Sequence, residues 1–132
     1  MPFYQDSAVL QDVAATLLDR LGKNPKVTSD FGRTGLLIHI HLTNPQAFIG
    51  LNGRSKPASF NYTLDGAKPD LELSLQADTL HAIWLGERRL RDAYFGGEIT
   101  TKGSIFKVLQ LAPIFREAET QYRLVLRDKG LI

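Results

Sequence analysis

The 132-residue sequence predicts an α/β (α+β) fold of helices and a largely antiparallel sheet. Apolar residues recur at helical spacing near both ends of the chain. Between them, apolar and polar residues alternate as in strands with one buried face. Turn-forming pairs, Asn44-Pro45, Asn52-Gly53 and Asp65-Gly66, separate those runs. Clean alternation marks a sheet that is dry on one side and wet on the other, as antiparallel neighbours usually are.

In chain order, Asp6 or Ser7 caps a first helix carrying Leu10, Val13, Ala14, Leu17, Leu18 and Leu21, and Gly22 with Asn24-Pro25 stops it. A loop rich in turn formers (Asp30, Gly32, Gly35) follows. Leu36, Ile38, Ile40 and Leu42 then point one way, while Leu37, His39 and His41 point the other. Phe48 to Leu51 reads as a second strand. Phe60, Tyr62 and Leu64 alternate with Ser59, Asn61 and Thr63, and Leu71, Leu73 and Leu75 with Glu72, Ser74 and Gln76. Asp78 caps a short helix with Leu80, Ile83 and Trp84 on one side, ending at Gly86. Glu98 to Lys102 is a short last strand, and Ser104 caps a helix starting at Ile105. Pro113 lacks an N–H and clashes with the carbonyl of Leu109, so that helix ends or kinks near Ala112. Pro113 suits equally the start of another helix, from Ile114 to about Arg127, with Phe115, Ala118, Tyr122 and Val125 inside. Tyr122 to Arg127 also alternates, which leaves a final strand as the alternative.

Composition narrows the function. With no cysteine there is neither a disulfide framework nor a thiolate metal site nor a Cys nucleophile. A net charge of +2, without basic residues interleaved with an aromatic stacking platform, argues against a nucleic-acid partner. No apolar run approaches the roughly 20 residues needed to cross a bilayer. The N-terminus, MPFYQDSAVL, lacks the basic and apolar regions of a signal peptide, so the expected compartment is the cytoplasm. The whole chain, 1–132, is expected to form one domain.

The stretch YFGGEITTKGSIFKVLQLAPIF holds three glycines and a Lys-Gly-Ser run, which raises the question of a phosphate loop. A Walker-type loop needs lysine after glycine, and here Lys102 precedes Gly103. The spacing of Gly96, Gly97 and Gly103 does not make a dinucleotide fingerprint either. From Ile105 to Phe115 only Lys107 and Gln110 are strongly polar. A helix apolar on more than one side buries more than one side: against the sheet, and against the C-terminal segment, a second subunit or a ligand.

The stretch PDLELSLQADTLHAIWLGERRLRDAYFGGEITTKGSIFKVLQL resembles the sterol carrier protein 2 (SCP2-like) lipid-binding domain family. The resemblance rests on an alternating strand from Asp70 to Leu75, the acidic Asp78 and a short helix ending at Gly86. After these come Ala93-Tyr94, Gly97 and Gly103, and then an apolar helix with Phe106, Leu109 and Leu111. The chain departs from the family pattern at Ser104, where an acidic or amide residue is usual, and in its arginine cluster before Ala93. The resemblance implies a twisted sheet of about five strands, covered on one face by helices, with an apolar tunnel between them. It implies a carrier of fatty acid, fatty acyl-CoA, sterol or phospholipid with no catalytic residues and no cofactor.

On this basis the tunnel wall is expected to comprise Ile83, Trp84, Phe95, Ile105, Phe106, Leu109 and Phe115. Arg88, Arg89, Arg91 and Lys102 are the expected contacts for an anionic headgroup or a transiently touched anionic membrane surface. The alternative is an interaction module whose apolar helix forms a homodimer or docks on a partner without ligand. His39-x-His41 places two rings roughly 7 Å apart on one strand face, within reach of a single metal ion. A site needs a third ligand, and neighbouring sequence supplies no obvious carboxylate or histidine, so no metal site is assigned. No Gly-x-Ser-x-Gly elbow supports a Ser-His-Asp triad.

Overall fold

The fold is that of a computed structural model, which describes residues 2–62 and 66–132; the side chains of Asn61, Tyr62 and Ile105 fall outside the description. The expected strand end at Thr63 and Leu64 and the Asp65-Gly66 turn lie at or beyond those limits.

Helix α1 (Ser7–Gly22) begins at Asp6, whose carboxylate accepts the Ala8 N–H at 2.7 Å. The six apolar residues read from its periodicity are all buried. A second helix, α2 (Pro25–Gly32), stands where a loop was expected. Asn24-Pro25 ends one helix and starts the next: the Asn24 side chain accepts from the Lys26 and Val27 N–H groups, and Pro25 occupies the first turn, where no N–H is needed. Val27 and Phe31, one turn apart, are its buried residues.

Strands β1 (Leu37–Thr43), β2 (Ala47–Asn52), β3 (Ser59–Tyr62), β4 (Leu71–Gln76) and β5 (Thr100–Lys102) form one sheet in the order β3-β2-β1-β4-β5. The sheet is mixed and largely antiparallel: among the described residues only the β1–β4 pair is parallel. Alternation alone suggested antiparallel neighbours for β4, which holds for β5 but not for β1. Asp70 sets the parallel register. Its carboxylate accepts the Leu37 N–H at 2.8 Å while its own N–H donates to the Leu37 carbonyl at 2.8 Å. That bond, and then Arg54 at 2.9 Å, hold the Asp70 carboxyl below the usual carboxylate range.

Ile38, Ile40, Leu42, Ile49, Leu51, Phe60, Leu71, Leu73 and Leu75 give the sheet its buried, helix-facing side. Helices α1, α2, α3 (Ala77–Trp84) and α6 (Ala112–Asp128) pack on one another, with α1 reaching β2 and β3 and α3 reaching β4. The short α4 (Leu90–Phe95) and α5 (Ile105–Leu109) complete the layer.

One local expectation changes. Asp78 does not cap α3: Gln76 occupies that position without a side-chain bond, and the Asp78 carboxylate accepts the Phe3 N–H at 3.0 Å, fastening the N-terminal segment. The C-terminal segment is helix, not strand, through Asp128. The apolar run from Ile105 to Phe115 is split as Pro113 requires, into α5 and the first turn of α6. Ser104 caps α5 as expected, its hydroxyl accepting the Phe106 N–H at 3.1 Å.

Gly97 (φ +78°) and Gly103 (φ +136°) lie in the left-handed region. At Gly103 a Cβ would stand 3.0 Å from Leu71 Cδ1 and 3.1 Å from the Asp70 carbonyl, so the strand-to-helix turn there depends on a bare backbone.

Candidate lipid-binding groove

α3, α4, α5 and α6 meet around a groove of about 410 Å³, within the range of small-molecule sites, about 300–1,000 Å³. Its apolar lining includes Ile83 from α3, Leu90 from α4, Leu109 from α5, and Ala112 and Phe115 from α6. Ile83 and Phe115 are buried and form the floor, while Leu109 is 42% exposed at the rim. Arg89, Arg91 and Arg116 stand around it, with Glu119 as the acidic member. Each side chain arrives for a local reason. The Arg89-Leu90-Arg91 step enters a short helix whose buried residues are Leu90 and Ala93, leaving the arginines outside. Phe115 lies on the inner stripe of α6 with Ala118, Tyr122 and Val125.

Of the expected wall residues, the structure brings together Ile83, Leu109 and Phe115. Trp84 is buried in the core, its ring 5.2 Å from that of Tyr122. Phe95 and Phe106 are 64% and 75% exposed and do not line the groove. Phe95 sits under the Arg91 guanidinium, 5.9 Å from its ring centre. For Ile105 only the backbone, at the start of α5, is described.

The expected headgroup cations divide three ways. Arg89 and Arg91 reach the groove. Arg88 is taken up by Glu98 and by the Asp92 carbonyl at 3.0 Å, bracing the loop around Gly96. Lys102 lies opposite Glu72 in the β4–β5 register, on the sheet face away from the helices, with its amine 4.0 Å from that carboxylate.

Two of the groove's helices, α3 and α6, also share a buried polar chain that the sequence reading missed. The Tyr122 hydroxyl is 2.6 Å from the Tyr4 hydroxyl and 2.6 Å from Nδ1 of His81. It thereby joins α6 to α3 and to the N-terminal segment. The Phe3 ring stacks on His81 at 3.9 Å. Burial pushes the Tyr4 hydroxyl up to about 12, and burial followed by Tyr4 itself raises Tyr122 further. Burial also lowers His81 below the usual imidazole value, although Asp78 and Glu87 pull the other way. The one signal in the sequence was Tyr122 on the inner stripe of an amphipathic helix, where a buried hydroxyl needs a partner.

The sequence reading found no third ligand beside His39 and His41. The β1–β4 pairing brings a carboxylate beside them: Glu72 lies directly across from His39, and its carboxylate is 3.4 Å from Nε2 of His41.

The fold and groove define a class: an open five-stranded sheet, helices over one face, and an apolar cleft among the helices. The chain belongs to the SCP-2 sterol transfer family, whose profile matches residues 15–116. Among solved structures it is similar to the apo form of sterol carrier protein 2 from Yarrowia lipolytica, with a TM-score of 0.64 and 15% identity, covering 86% of this chain and 91% of that one. Sterol carrier protein domain 2 of Helicoverpa armigera gives a TM-score of 0.65 at 15% identity, over 88% and 91% of the two chains. A conserved protein from Thermus thermophilus, described as possibly a sterol carrier protein, gives 0.55 at 15% identity over 92% and 89%. These likenesses show the shared fold. No curated protein sequence matches this chain. Family membership supports lipid binding or transfer as the general activity. Among the described residues, no helix is long and apolar enough to cross a membrane.

Proposed function

We propose that residues 1–132 act as one non-catalytic domain that carries a single hydrophobic lipid: a fatty acid, fatty acyl-CoA, sterol or phospholipid. The observation that carries this reading is the groove with an apolar floor, Ile83 and Phe115, and a rim of Arg89, Arg91 and Arg116. The alkyl part of the ligand loses its water against the floor, worth roughly 25 cal/mol per Å² of apolar surface buried. The arginines attract an anionic headgroup and leave the uncharged end to go deeper. The tunnel of this reading opens from the groove when α5 and the start of α6 swing away from α3. Phe106 and Phe95, exposed beside Arg91 and Lys107, then serve as the contact with an anionic membrane surface during loading and release.

The same exposure of Phe106, 75%, favours a second reading in which α5 docks on another copy of the chain or on a partner, without ligand. One experiment separates the two. Solvent extraction and mass spectrometry of the purified protein should find co-purified lipid, and a delipidated monomer should bind a fluorescent fatty acid that unlabelled lipid displaces. A dimer that persists at nanomolar concentration and binds no acyl or sterol probe decides for the second reading.

A further inference from the structure

On the face of the sheet away from the helices, β1 and β4 bring together three groups that the lipid reading does not use. His39 and His41 project from alternate positions of β1, and the parallel register sets Glu72 opposite His39 and Ser74 opposite His41. One ligand atom from each of His39, His41 and Glu72 can be chosen so that all lie within 4.8 Å of one another. We propose that these three side chains bind one divalent first-row transition-metal ion of the zinc type.

The geometry is close to what such an ion needs. With bonds of about 2.0–2.2 Å in a tetrahedral arrangement, neighbouring donor atoms stand roughly 3.3–3.5 Å apart. The His41–Glu72 pair is already at 3.4 Å. His39 is 3% exposed, held edge-on against the Phe48 ring at 5.2 Å, and serves as the fixed member. The side chains of His41 and Glu72 are 43% and 31% exposed, so they are free to close the remaining gap toward it. On the β2 side, His39 faces Gly50, which contributes no side chain to the space. Two imidazoles and one carboxylate select a borderline ion such as zinc over calcium or magnesium, which prefer all-oxygen cages. Solvent completes the coordination. Lys102 opposes the ion electrostatically; its amine is 4.0 Å from the Glu72 carboxylate but 84% exposed, and it can swing into water.

The test uses the full chain, without a polyhistidine tag and stripped with chelator, titrated with zinc chloride against a chromophoric competitor. One equivalent should bind. His41→Ala and Glu72→Gln should each weaken binding by at least about tenfold, since even outer-shell partners of metal ligands are worth that much. Lys102→Ala should strengthen it. These three positions are partly or largely exposed, and unchanged circular dichroism would establish that the variants fold. Absence of a one-to-one complex overturns the proposal, as does zinc affinity that neither His41→Ala nor Glu72→Gln changes.

Discussion

Tyr122→Phe tests the account of how α6 is held. The hydroxyl it removes is bonded at 2.6 Å to both Tyr4 and His81, at a residue with no exposed surface. Deletion breaks two hydrogen bonds and leaves the buried Tyr4 hydroxyl without this partner. His81 is nearer the surface and can recruit water. One unsatisfied buried hydroxyl costs about 1–3 kcal/mol, and a bond replaced by water about 0.5–1.5 kcal/mol, so the loss should be on the order of 2–4 kcal/mol. For a chain of this length the thermal midpoint should fall by roughly 6–15 °C. Tyr4→Phe should cost less, about 0.5–1.5 kcal/mol, because Tyr122 keeps its bond to His81. Thermal and urea unfolding of both variants and of the double variant measures these values. Coupling follows from the shared hydroxyl pair, so the double variant should lose less than the sum. If Tyr122→Phe stays within about 0.5 kcal/mol of the parent, the polar chain does not hold α6 and the reasoning fails.

His81 also ties stability to pH. Its folded-state value lies below the usual imidazole value, so its contribution is complete above about pH 6.5 and is lost as pH falls through the folded value. Midpoints measured at descending pH should drop through that window, and His81→Gln should flatten the drop. Gly103→Ala should destabilise by about 1–3 kcal/mol, read by urea unfolding, because the new methyl meets Leu71 and the Asp70 carbonyl at positive φ. Phe106→Asp should leave the free energy of urea unfolding within about 0.5 kcal/mol of the parent, given its exposure, yet slow lipid delivery to anionic vesicles. Unchanged transfer would remove Phe106 from the membrane contact.

The sequence made the local elements legible wherever one period dominated. The buried stripe of α1 and the dry face of β4 fell where the spacing put them. It misled at α2, because Asn24-Pro25 is as good a helix start as a helix stop, and only the packing of Val27 and Phe31 decides between them. It was silent on pairing. Alternation says which residues share a face but not which strand lies alongside. The parallel β1–β4 contact, and with it the meeting of His39, His41 and Glu72, could not be read. Tyr4 and Tyr122 stand 118 positions apart, and their hydroxyls meet only through the packing of α6 on the rest of the fold. At the groove, the run from Ile105 to Phe115 is apolar on nearly every side, so spacing did not say which side is buried: Val108 and Leu111 are buried while Phe106 faces outward.

In the proposed carrier a lipid chain lies in the groove between α3, α4, α5 and α6. A fatty acid carrying a diazirine along its chain, bound to the protein, irradiated and mapped by peptide mass spectrometry, tests it most directly. Cross-links should fall on the segments holding Ile83, Leu109 and Phe115 and be lost in competition with unlabelled lipid. Cross-links confined to the hollow bordered by Thr28, Arg33 and Pro57, or labelling that excess lipid does not displace, would contradict it.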